Sequence, residues 1–328
     1  MSSSVMVTGA AGFIGFHTTL ALLKQGRTVV GVDNMNTYYS VKLKEDRLKL
    51  LQAYPNFHFH KVDMSDQEAM AHVWQAHAPI LQVVNLGAQA GVRFSLVDPF
   101  PYITSNIMGF MVILELCRHQ PGFQRLVYAS TSSVYGTNKE IPFKEDQRTD
   151  SPMSLYAATK RSNELMAQSY HHLYALPVTG LRFFTVYGPW GRPDMSAFKF
   201  MKAMLAGEPI DVYNHGKMAR DYTYIDDIVA GILGALAYTS KAAKDQLHPV
   251  YNLGNDHSES LMDFIETLEK ELNITAMKNF LPLQDGDVPA TAADISAAVR
   301  DFGYAPSTRI SEGIAHLVAW YKEYNELE

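Results

Sequence analysis

The 328-residue sequence is poor in cysteine, in excess positive charge and in long apolar runs, and each shortage excludes a class of protein. The single cysteine, Cys117, cannot form a disulfide within the chain, so we expect a reducing, cytoplasmic location and no metal cage of several cysteines. Lys and Arg number 28 against 34 Asp and Glu, and the net charge of −6 argues against nucleic-acid binding. His58, His60, His171 and His172 lack the spacing and acidic neighbours of a metal site, so no bound metal is expected.

The first 23 residues contain no Lys, Arg, Asp or Glu and resemble a targeting segment at first sight. A secretory signal needs a positive start and an unbroken apolar centre, whereas Gly9, Gly12 and Gly15 interrupt this stretch. No segment reaches the roughly 20 consecutive apolar residues of a membrane-spanning helix. We therefore expect a soluble protein with no membrane partner, and 47% hydrophobic residues are enough to form a large core.

Strand-like and helix-like segments alternate through the first half of the chain. This alternation is typical of crossover units and predicts a Rossmann-type α/β fold, that is, a doubly wound parallel sheet buried on both faces. The predicted helices cover residues 13–25, a segment from about 66, 103–119 and 154–174. The predicted strands cover residues 5–8, 28–33, 57–62, 81–86, 125–129 and 178–184.

Beyond about residue 188 the regular alternation ends in short strands, separated helices and turns rich in Pro and Gly. The change predicts a first domain of residues 1–188 and a smaller, mixed lobe of residues 189–328. Segments within 226–255, such as residues 250–253, are expected to return to the main sheet.

A glycine-rich turn, Thr8-Gly-Ala-Ala-Gly-Phe-Ile-Gly15, links the first predicted strand to the first predicted helix. Its glycines permit a tight turn in which backbone N–H groups, up to those of Phe13 and Ile14, approach a pyrophosphate at the helix N-terminus. Asp33 ends the second strand 18 residues after Gly15, where a carboxylate accepts hydrogen bonds from the ribose hydroxyls. The same carboxylate repels a 2′-phosphate, so the sequence predicts NAD rather than NADP.

Four further residues are predicted to contact this cofactor. Asn34 directly follows Asp33, and Leu86 and Gln89 lie in the segment that should pass the second phosphate and ribose. Asp63 ends the third strand and has two interpretations, an acceptor for the adenine amino group or the N-cap of the next helix.

Tyr156 and Lys160 lie four residues apart in the predicted helix 154–174 and therefore share one face of it. A tyrosine with an ordinary pKa near ~10 is a poor base at neutral pH, but a neighbouring ammonium and a positive nicotinamide ring would lower that pKa. Lys160 can also hold the nicotinamide ribose. The hydroxyl run Ser130-Thr-Ser-Ser133 follows the fifth strand, where open α/β sheets bind ligands, and turn chemistry explains only part of it.

These three motifs together resemble the extended short-chain dehydrogenase/reductases, in the group of nucleotide-sugar epimerases and dehydratases. Longer blocks are similar to the UDP-glucuronate 4-epimerases of that group, and the similarity spans nearly the whole chain. The blocks are residues 33–39, 86–93, 181–195 and 211–227. The resemblance implies an NAD-binding first domain, a UDP-sugar-binding second lobe and an isomerase that inverts C4 of a UDP-sugar through a transient 4-keto intermediate.

The resemblance also implies roles for single residues. Tyr156 would take the proton of the sugar 4-hydroxyl, and Thr131 would bridge that oxygen and the tyrosine. Arg192 and Arg220 match contacts to the diphosphate and the sugar end, because guanidinium groups bind phosphate or carboxylate bidentately. Asp287 matches a contact to the uridine ribose.

Arg93 and Asn106 have less specific interpretations. Arg93 either contacts the substrate or holds the loop of residues 89–92 in place. Asn106 is expected to support the helix that carries Tyr156 and Lys160, through a backbone contact or a water molecule.

Small hydroxyl side chains carry the substrate prediction. A 4-keto glucuronate is a β-keto acid, which loses CO₂ when its carboxylate bond aligns with the ketone, so a 4-epimerase must hold the carboxylate out of that alignment. Ser132, Ser133 and Thr185 are the candidate donors to this carboxylate. The serines replace the acidic residues of dehydratases and decarboxylases, and Thr185 replaces an Asn of many relatives, although strand packing also explains a Thr there.

The predicted reaction is therefore the NAD-dependent conversion of UDP-glucuronate to UDP-galacturonate without decarboxylation. The alternatives are a UDP-glucose/UDP-galactose 4-epimerase, a UDP-glucuronate decarboxylase and a non-catalytic NAD-binding sensor. Relatives often dimerise through helices equivalent to 103–119 and 154–174, so the resemblance implies a homodimer. The apolar stretch 110–113 fits a dimer contact and a core position equally well.

Overall fold

A seven-stranded parallel sheet forms the centre of the molecule. The structure is a computed structural model that describes residues 4–239, 243, 246, 248–284 and 286–327. The other positions of the chain lie outside the described residues. Some of them fall within the two predicted lobes and the segment 226–255. The strands of the described chain are β1 (Ser4–Thr8), β2 (Val29–Asp33), β3 (Phe57–Lys61), β4 (Ile80–Asn85), β5 (Arg125–Thr131), β6 (Val178–Phe183), β7 (Thr185–Tyr187), β8 (Ile210–Val212), β9 (Ala219–Arg220), β10 (Tyr222–Tyr224), β11 (Val250–Leu253), β12 (Glu259–Ser260) and β13 (Lys278–Phe280).

The order across the main sheet is β11-β6-β5-β4-β1-β2-β3, and each pair of neighbours is parallel. The order reverses between β1 and β4, so the carboxyl ends of these strands leave a crevice at the point where open α/β sheets bind ligands. β2 and β6 are buried along their whole length, as expected for strands covered on both faces. The prediction of a Rossmann-type, doubly wound parallel sheet is confirmed.

Helices cover both faces of the sheet, and the predicted helices of the first half are found within a few residues of their expected ends. A π-helical segment, Tyr102–Met108, leads into the fourth helix. The α-helices of the described chain are α1 (Phe13–Lys24), α2 (Val41–Gln52), α3 (Gln67–Ala76), α4 (Gly109–His119), α5 (Leu155–Tyr174), α6 (Ser196–Leu205), α7 (Ile225–Ala237), α8 (Leu261–Leu272), α9 (Ser296–Phe302) and α10 (Ile310–Tyr324).

Helix α2 was absent from the sequence prediction. Its buried positions include two cations, Lys44 and Arg47, beside Leu43, Leu48 and Leu51. Since a helix with buried cations has no clean apolar stripe, its sequence resembles a solvated charged segment.

Two hydrophobic clusters lie on the two faces of the sheet. One joins α1 and α7 to the second lobe, and the other joins α3, α4 and α5. Phe110 and Ile113 are buried in the latter, so the stretch 110–113 belongs mainly to the core, where each such side chain contributes about 1.5–3 kcal/mol. The exposed apolar side chains of this side include Met108, Leu165 and Leu173.

The second lobe is built from short strand pairs and from α6 and α8. β7 pairs with β10 and β8 with β13 in parallel, whereas β9 pairs with β12 in antiparallel fashion. β11 belongs to the main sheet, beside β6. Among the described residues, none of the helices is both long and apolar enough to span a lipid bilayer. The same residues contain no group of three His, Cys, Asp or Glu side chains able to hold a metal ion.

Candidate active site

A deep cleft lies at the carboxyl ends of β1, β2, β4 and β5, and the loop after β7 closes one side of it. Most of the predicted cofactor contacts and all three predicted catalytic residues line this cleft. They are Gly9, Gly12, Phe13, Ile14, Gly15, Asp33, Asn34, Leu86, Gln89, Thr131, Tyr156 and Lys160, together with Arg192 from the predicted substrate contacts. Segments far apart in the sequence therefore meet as expected.

The glycine-rich turn forms a tight arch at the floor of the cleft. Gly9 adopts a φ of +67°, and its carbonyl oxygen accepts a hydrogen bond from Gly12 N at 2.8 Å. A Cβ atom on Gly15 would overlap that same carbonyl oxygen, so only glycine fits there. Helix α1 then begins with no capping side chain and no acidic residue in its first turn. Its first N–H groups are therefore available to an anion in the cleft.

Asp33 ends β2 at the rim of this arch. Its Oδ2 accepts a hydrogen bond from Ala11 N at 3.2 Å and its Oδ1 one from Met35 N at 2.8 Å. The Lys44 ammonium lies 3.9 Å from Oδ1 and donates to the backbone and side-chain oxygens of Asn36 at 3.0 and 2.8 Å. The sequence interpretation missed Lys44, which lines the cleft beside the carboxylate.

Asp63 is the one predicted cofactor contact that does not line the cleft. Its carboxylate accepts hydrogen bonds from Asn34 Nδ2 at 2.8 Å and from the backbone and hydroxyl of Ser65 at 2.9 and 2.7 Å. Burial opposes ionisation, but these hydrogen bonds lower the pKa of Asp63 below its ordinary value. Helix α3 is capped by Asp66, which accepts from Ala69 N, so the N-cap interpretation of Asp63 is wrong.

Tyr156 lies in the first turn of α5, which is fixed by its N-cap Ser154 accepting from Ala157 N at 3.1 Å. Burial raises the pKa of the Tyr156 phenol, while the Arg192 guanidinium and the Thr131 hydroxyl lower it. The sequence predicted this lowering from Lys160 and the nicotinamide ring, and the structure adds Arg192 as a further cation that acts on the phenol. The pKa of Lys160 itself is lowered to about 8 by burial, although the Glu164 carboxylate works against that shift.

Arg192 is held by Asp194 and Tyr38, two residues for which the sequence predicted no role. Its Nε and Nη2 donate to the two carboxylate oxygens of Asp194 at 3.0 and 2.6 Å. The Tyr38 hydroxyl donates to Asp194 at 3.1 Å. A bidentate pair of this kind orients the guanidinium plane, so Asp194 and Tyr38 aim Arg192 into the cleft.

The hydroxyl side chains of the substrate prediction lie at neighbouring strand ends. Ser132 and Ser133 form a single 3₁₀ turn after Thr131, whose Oγ1 accepts a hydrogen bond from Ser133 N and donates one to Ser133 Oγ, both at 3.2 Å. In the sheet, Thr131 lies opposite Phe183, two residues before Thr185. Thr185 lines a small recess that shares Arg192 with the cleft.

Arg93, Arg220 and Asp287 form a separate charged group, and none of the three lines the cleft, although Val92, next to Arg93, does. Arg93 Nη2 donates to Asp287 Oδ2 at 3.1 Å, and its guanidinium carbon lies 5.2 Å from the centre of the Tyr213 ring. Burial lowers the pKa of Arg220, and Asp287 opposes the change. Arg220 donates to the carbonyls of Ala219 and Pro289, so its position is set by backbone.

Asn106 performs the predicted support of the catalytic helix through direct contacts. It accepts from Gln89 N at 2.8 Å and donates to Gln89 O at 3.1 Å and Thr159 Oγ1 at 3.0 Å. Its backbone oxygen accepts from Asn163 Nδ2 at 2.6 Å. Asn106 thereby connects the loop after β4 to helix α5. Its contact Thr159 lies between Tyr156 and Lys160 in the sequence.

A buried ionic network lies behind the catalytic residues and was not found from the sequence. The Glu164 carboxylate, one helical turn beyond Lys160, accepts from Ser130 at 2.6 Å and from Arg182 at 2.9 Å on each of its oxygens. Arg161 adds a further contact at 2.7 Å. The network joins α5 to β5 and β6 directly beneath the cleft.

Comparison with known proteins gives a consistent picture. A family model described as the NAD dependent epimerase/dehydratase family matches residues 5–254. The chain is 50% identical to protein CapI of Staphylococcus aureus, with 98% of each chain covered. It is 46% identical to UDP-glucuronate 4-epimerase 2 of Arabidopsis thaliana, over 98% of this chain and 76% of the plant protein.

Solved structures agree with these relatives. The crystal structure of UDP-glucuronic acid 4-epimerase from Bacillus cereus, in complex with UDP-glucuronic acid and NAD, matches with a TM-score of 0.90. Its sequence is 36% identical, and the match covers 98% of this chain and 99% of that one.

Proposed function

Because the chain belongs to the NAD-dependent epimerase/dehydratase family, we propose that it interconverts UDP-glucuronate and UDP-galacturonate by epimerisation at C4, without loss of CO₂. It is an isomerase similar to the UDP-glucuronate 4-epimerases, as the sequence resemblance predicted. The substrate proposal is supported by the uncharged hydroxyls of Ser132 and Ser133, which directly follow Thr131, and of Thr185, which lines the recess that shares Arg192 with the cleft.

The chain's own residues fit NAD. The side-chain-free arch of Gly9, Gly12 and Gly15 and the uncapped start of α1 suit a pyrophosphate, and Asp33 suits the hydroxyls of an adenosine ribose. Lys160 and Tyr156 line the far end of the cleft, where they would hold the nicotinamide ribose. Bound NAD supplies the acceptor for the hydride of sugar C4 and gives that hydride back within one turnover.

Tyr156 is the proposed base of the reaction. Its phenolate takes the proton of the sugar 4-hydroxyl, and the Thr131 hydroxyl holds the same sugar oxygen in line with the phenol. The positive charge of Arg192 favours the phenolate against the cost of burial. Inversion requires the 4-keto sugar to turn within the cleft before Tyr156 returns the proton to the new 4-hydroxyl.

The hydroxyls of Ser132, Ser133 and Thr185 are proposed to hold the sugar carboxylate. They donate hydrogen bonds without adding negative charge, so they stabilise the carboxylate while keeping its C–C bond out of alignment with the C4 ketone. Decarboxylation needs that alignment, and the hydroxyls therefore separate a 4-epimerase from a decarboxylase.

Arg93, Arg220 and Asp287 are proposed to bind the UDP part of the substrate. The two guanidinium groups suit a diphosphate, and the Asp287 carboxylate suits the hydroxyls of the uridine ribose. Asp287 already accepts from Arg93, so a ribose would share this carboxylate with the arginine.

The proposal is tested by incubating the purified protein with UDP-glucuronate and separating the products by anion-exchange chromatography. UDP-galacturonate without a UDP-pentose supports it. A UDP-pentose would contradict the role of the hydroxyls, and turnover of UDP-glucose alone would make the neutral-sugar alternative correct. Tyr156→Phe should lower turnover at least about a hundredfold while bound nucleotide stays on the protein. Tyr174→Phe, on the exposed end of the same helix, is the matched control.

A homodimer and a cytoplasmic location belong to the same proposal. Met108, before α4, and Leu165 and Leu173, on α5, expose large apolar side chains, which supports association of two copies through these helices. The only cysteine is buried and unpaired, which suits a reducing compartment.

A further inference from the structure

Three consecutive backbone carbonyls of the loop after β7 are bound by two side chains, the partly buried His17 of helix α1 and the fully buried Arg47 of helix α2. His17 Nε2 lies 2.9 Å from the carbonyl oxygen of Pro189. Arg47 Nη2 donates to the carbonyls of Trp190 at 2.5 Å and Gly191 at 3.1 Å. Burial lowers the pKa of His17 to about 4, so its imidazole is neutral and acts as a donor at physiological pH.

The same arginine also holds the phosphate turn. Its Nη1 donates to the carbonyl of Ala11, within the glycine-rich arch, and to the Tyr39 hydroxyl, each at 2.8 Å. One guanidinium therefore connects the floor of the cleft with the loop that closes its side. The next residue after that loop is Arg192.

Arg47 is an unusual buried cation. Its side chain is fully buried, its Nε has no hydrogen-bond partner, and no carboxylate among the described residues lies within 4.0 Å of it. Burying a charge with only carbonyls and the Tyr39 hydroxyl as partners, and no carboxylate, is costly, so packing does not explain its presence. The carbonyls that it binds belong to a loop that needs an external anchor.

The backbone of this loop is strained. Trp190 has a φ of +59°, which a tryptophan rarely adopts. Its ring packs between Phe16, at 5.6 Å between ring centres, and Trp320, at 5.1 Å. Strain of this kind persists only where surrounding contacts over-determine the conformation.

We propose that Arg47, assisted by His17, is a positioning residue for the reaction, because it fixes residues 189–191 and thereby aims the Arg192 guanidinium at Tyr156. The proposal rests on the function proposed above. It adds an explanation of what holds the Arg192 guanidinium in the position from which its charge acts on Tyr156. Without the anchor, the loop relaxes and Arg192 leaves its place in the cleft that it shares with Tyr156.

Other groups face the two residues concerned. Tyr38 and Tyr102 interact electrostatically with the Tyr156 phenol, Lys160 lines the same cleft, and Asp194 binds the Arg192 guanidinium. None of them contacts the three loop carbonyls among the hydrogen bonds of the described residues. Their influence on Tyr156 should therefore survive the loss of Arg47.

The test is a near-ultraviolet titration of tyrosinate, in which the Tyr156→Phe protein is subtracted to isolate the Tyr156 phenol. Arg192→Met should move this titration upward by about one pH unit. Arg47→Met should reproduce most of that shift, and the double variant should add nothing to Arg192→Met alone. Arg148→Met, which removes an exposed charge, should leave the titration where it is.

Two results overturn the proposal. An unchanged titration in Arg47→Met would mean that Arg192 keeps its place without the anchor. An equal further shift in the Arg192→Met background would mean that Arg47 acts directly on the phenol. If Arg47→Met does not fold, Arg47→Lys and His17→Phe replace it, each with a partial upward shift expected and no shift overturning the proposal.

The titration needs no UDP-sugar, so it is decided independently of the substrate. A protein that turns over no UDP-glucuronate but shows the coupled shifts would refute the proposed function and support the anchor. A protein that turns over UDP-glucuronate but shows no coupled shifts would support the proposed function and refute the anchor.

Discussion

Replacing Glu164 by Gln should destabilise the protein by about 3–5 kcal/mol, the range for breaking one side of a buried ion pair. The carboxylate accepts four hydrogen bonds from three donors, two of them from Arg182, and Arg182 is itself buried. A glutamine keeps one acceptor oxygen and turns an NH₂ group towards a guanidinium. The variant therefore buries an uncompensated positive charge.

The measurement is urea unfolding followed by circular dichroism, with Asp150→Asn as the control. Asp150 pairs with Arg148 at 2.6 Å, but both are exposed, and such pairs contribute little. The control should unfold at the wild-type midpoint. A loss below about 1 kcal/mol in Glu164→Gln would refute the description of a closed buried network.

The same variant has a consequence for catalysis. Glu164 opposes the effect of burial on Lys160, so removing its charge should move the pKa of Lys160 further below about 8. A smaller fraction of Lys160 is then charged at neutral pH. The alkaline limb of the activity profile should therefore begin at a lower pH than in the wild type, and an unchanged profile would contradict this coupling.

Three further predictions concern the cofactor, acid stability and assembly. Asp33→Ser should tighten NADP binding by about tenfold in a fluorescence titration, because Lys44 then faces the 2′-phosphate, and Lys44→Met in that background should cancel the gain. His17 has a folded pKa of about 4, below its unfolded value of 6.5, so its contribution is lost as the pH falls from 6.5 towards 4. His17→Gln should therefore lose about 3 kcal/mol less stability than the wild type between pH 6.5 and pH 4, and equal losses would contradict the assignment. Leu165→Asp should give a monomer in light scattering, whereas a wild type that is itself monomeric would rule out the dimer.

The sheet could be predicted because its strands are short, apolar and buried. Segments such as residues 29–33 contain little else than Val and Gly, and a turn signal follows each of them. Helix α2 could not be predicted in the same way, since Lys44 and Arg47 occupy buried positions for the sake of the cleft. The two charged residues interrupt the regular spacing of apolar residues on which a helix prediction depends.

Some residues of the site could be predicted from the sequence and others could not. Tyr156, Lys160 and the glycine turn belong to local patterns with fixed spacing, and the structure places them together. Two ion pairs, Asp194 with Arg192 and Glu164 with Arg182, depend on which side chains face each other after folding. No local pattern encodes such pairings, which explains why the effect of Arg192 on the phenol was not predicted from the sequence.

The late position of β11 has a consequence for how the protein is made. The sheet edge beside β6 is filled only by residues 250–253, which leave the ribosome well after β6 is complete. At a synthesis rate of roughly 5–20 residues per second, the growing chain exposes that open edge for several seconds. An unpaired strand edge is a template for aggregation, so this interval is where a holding chaperone would bind the nascent protein. A fragment that ends at residue 188 keeps the edge open permanently and should accumulate in inclusion bodies.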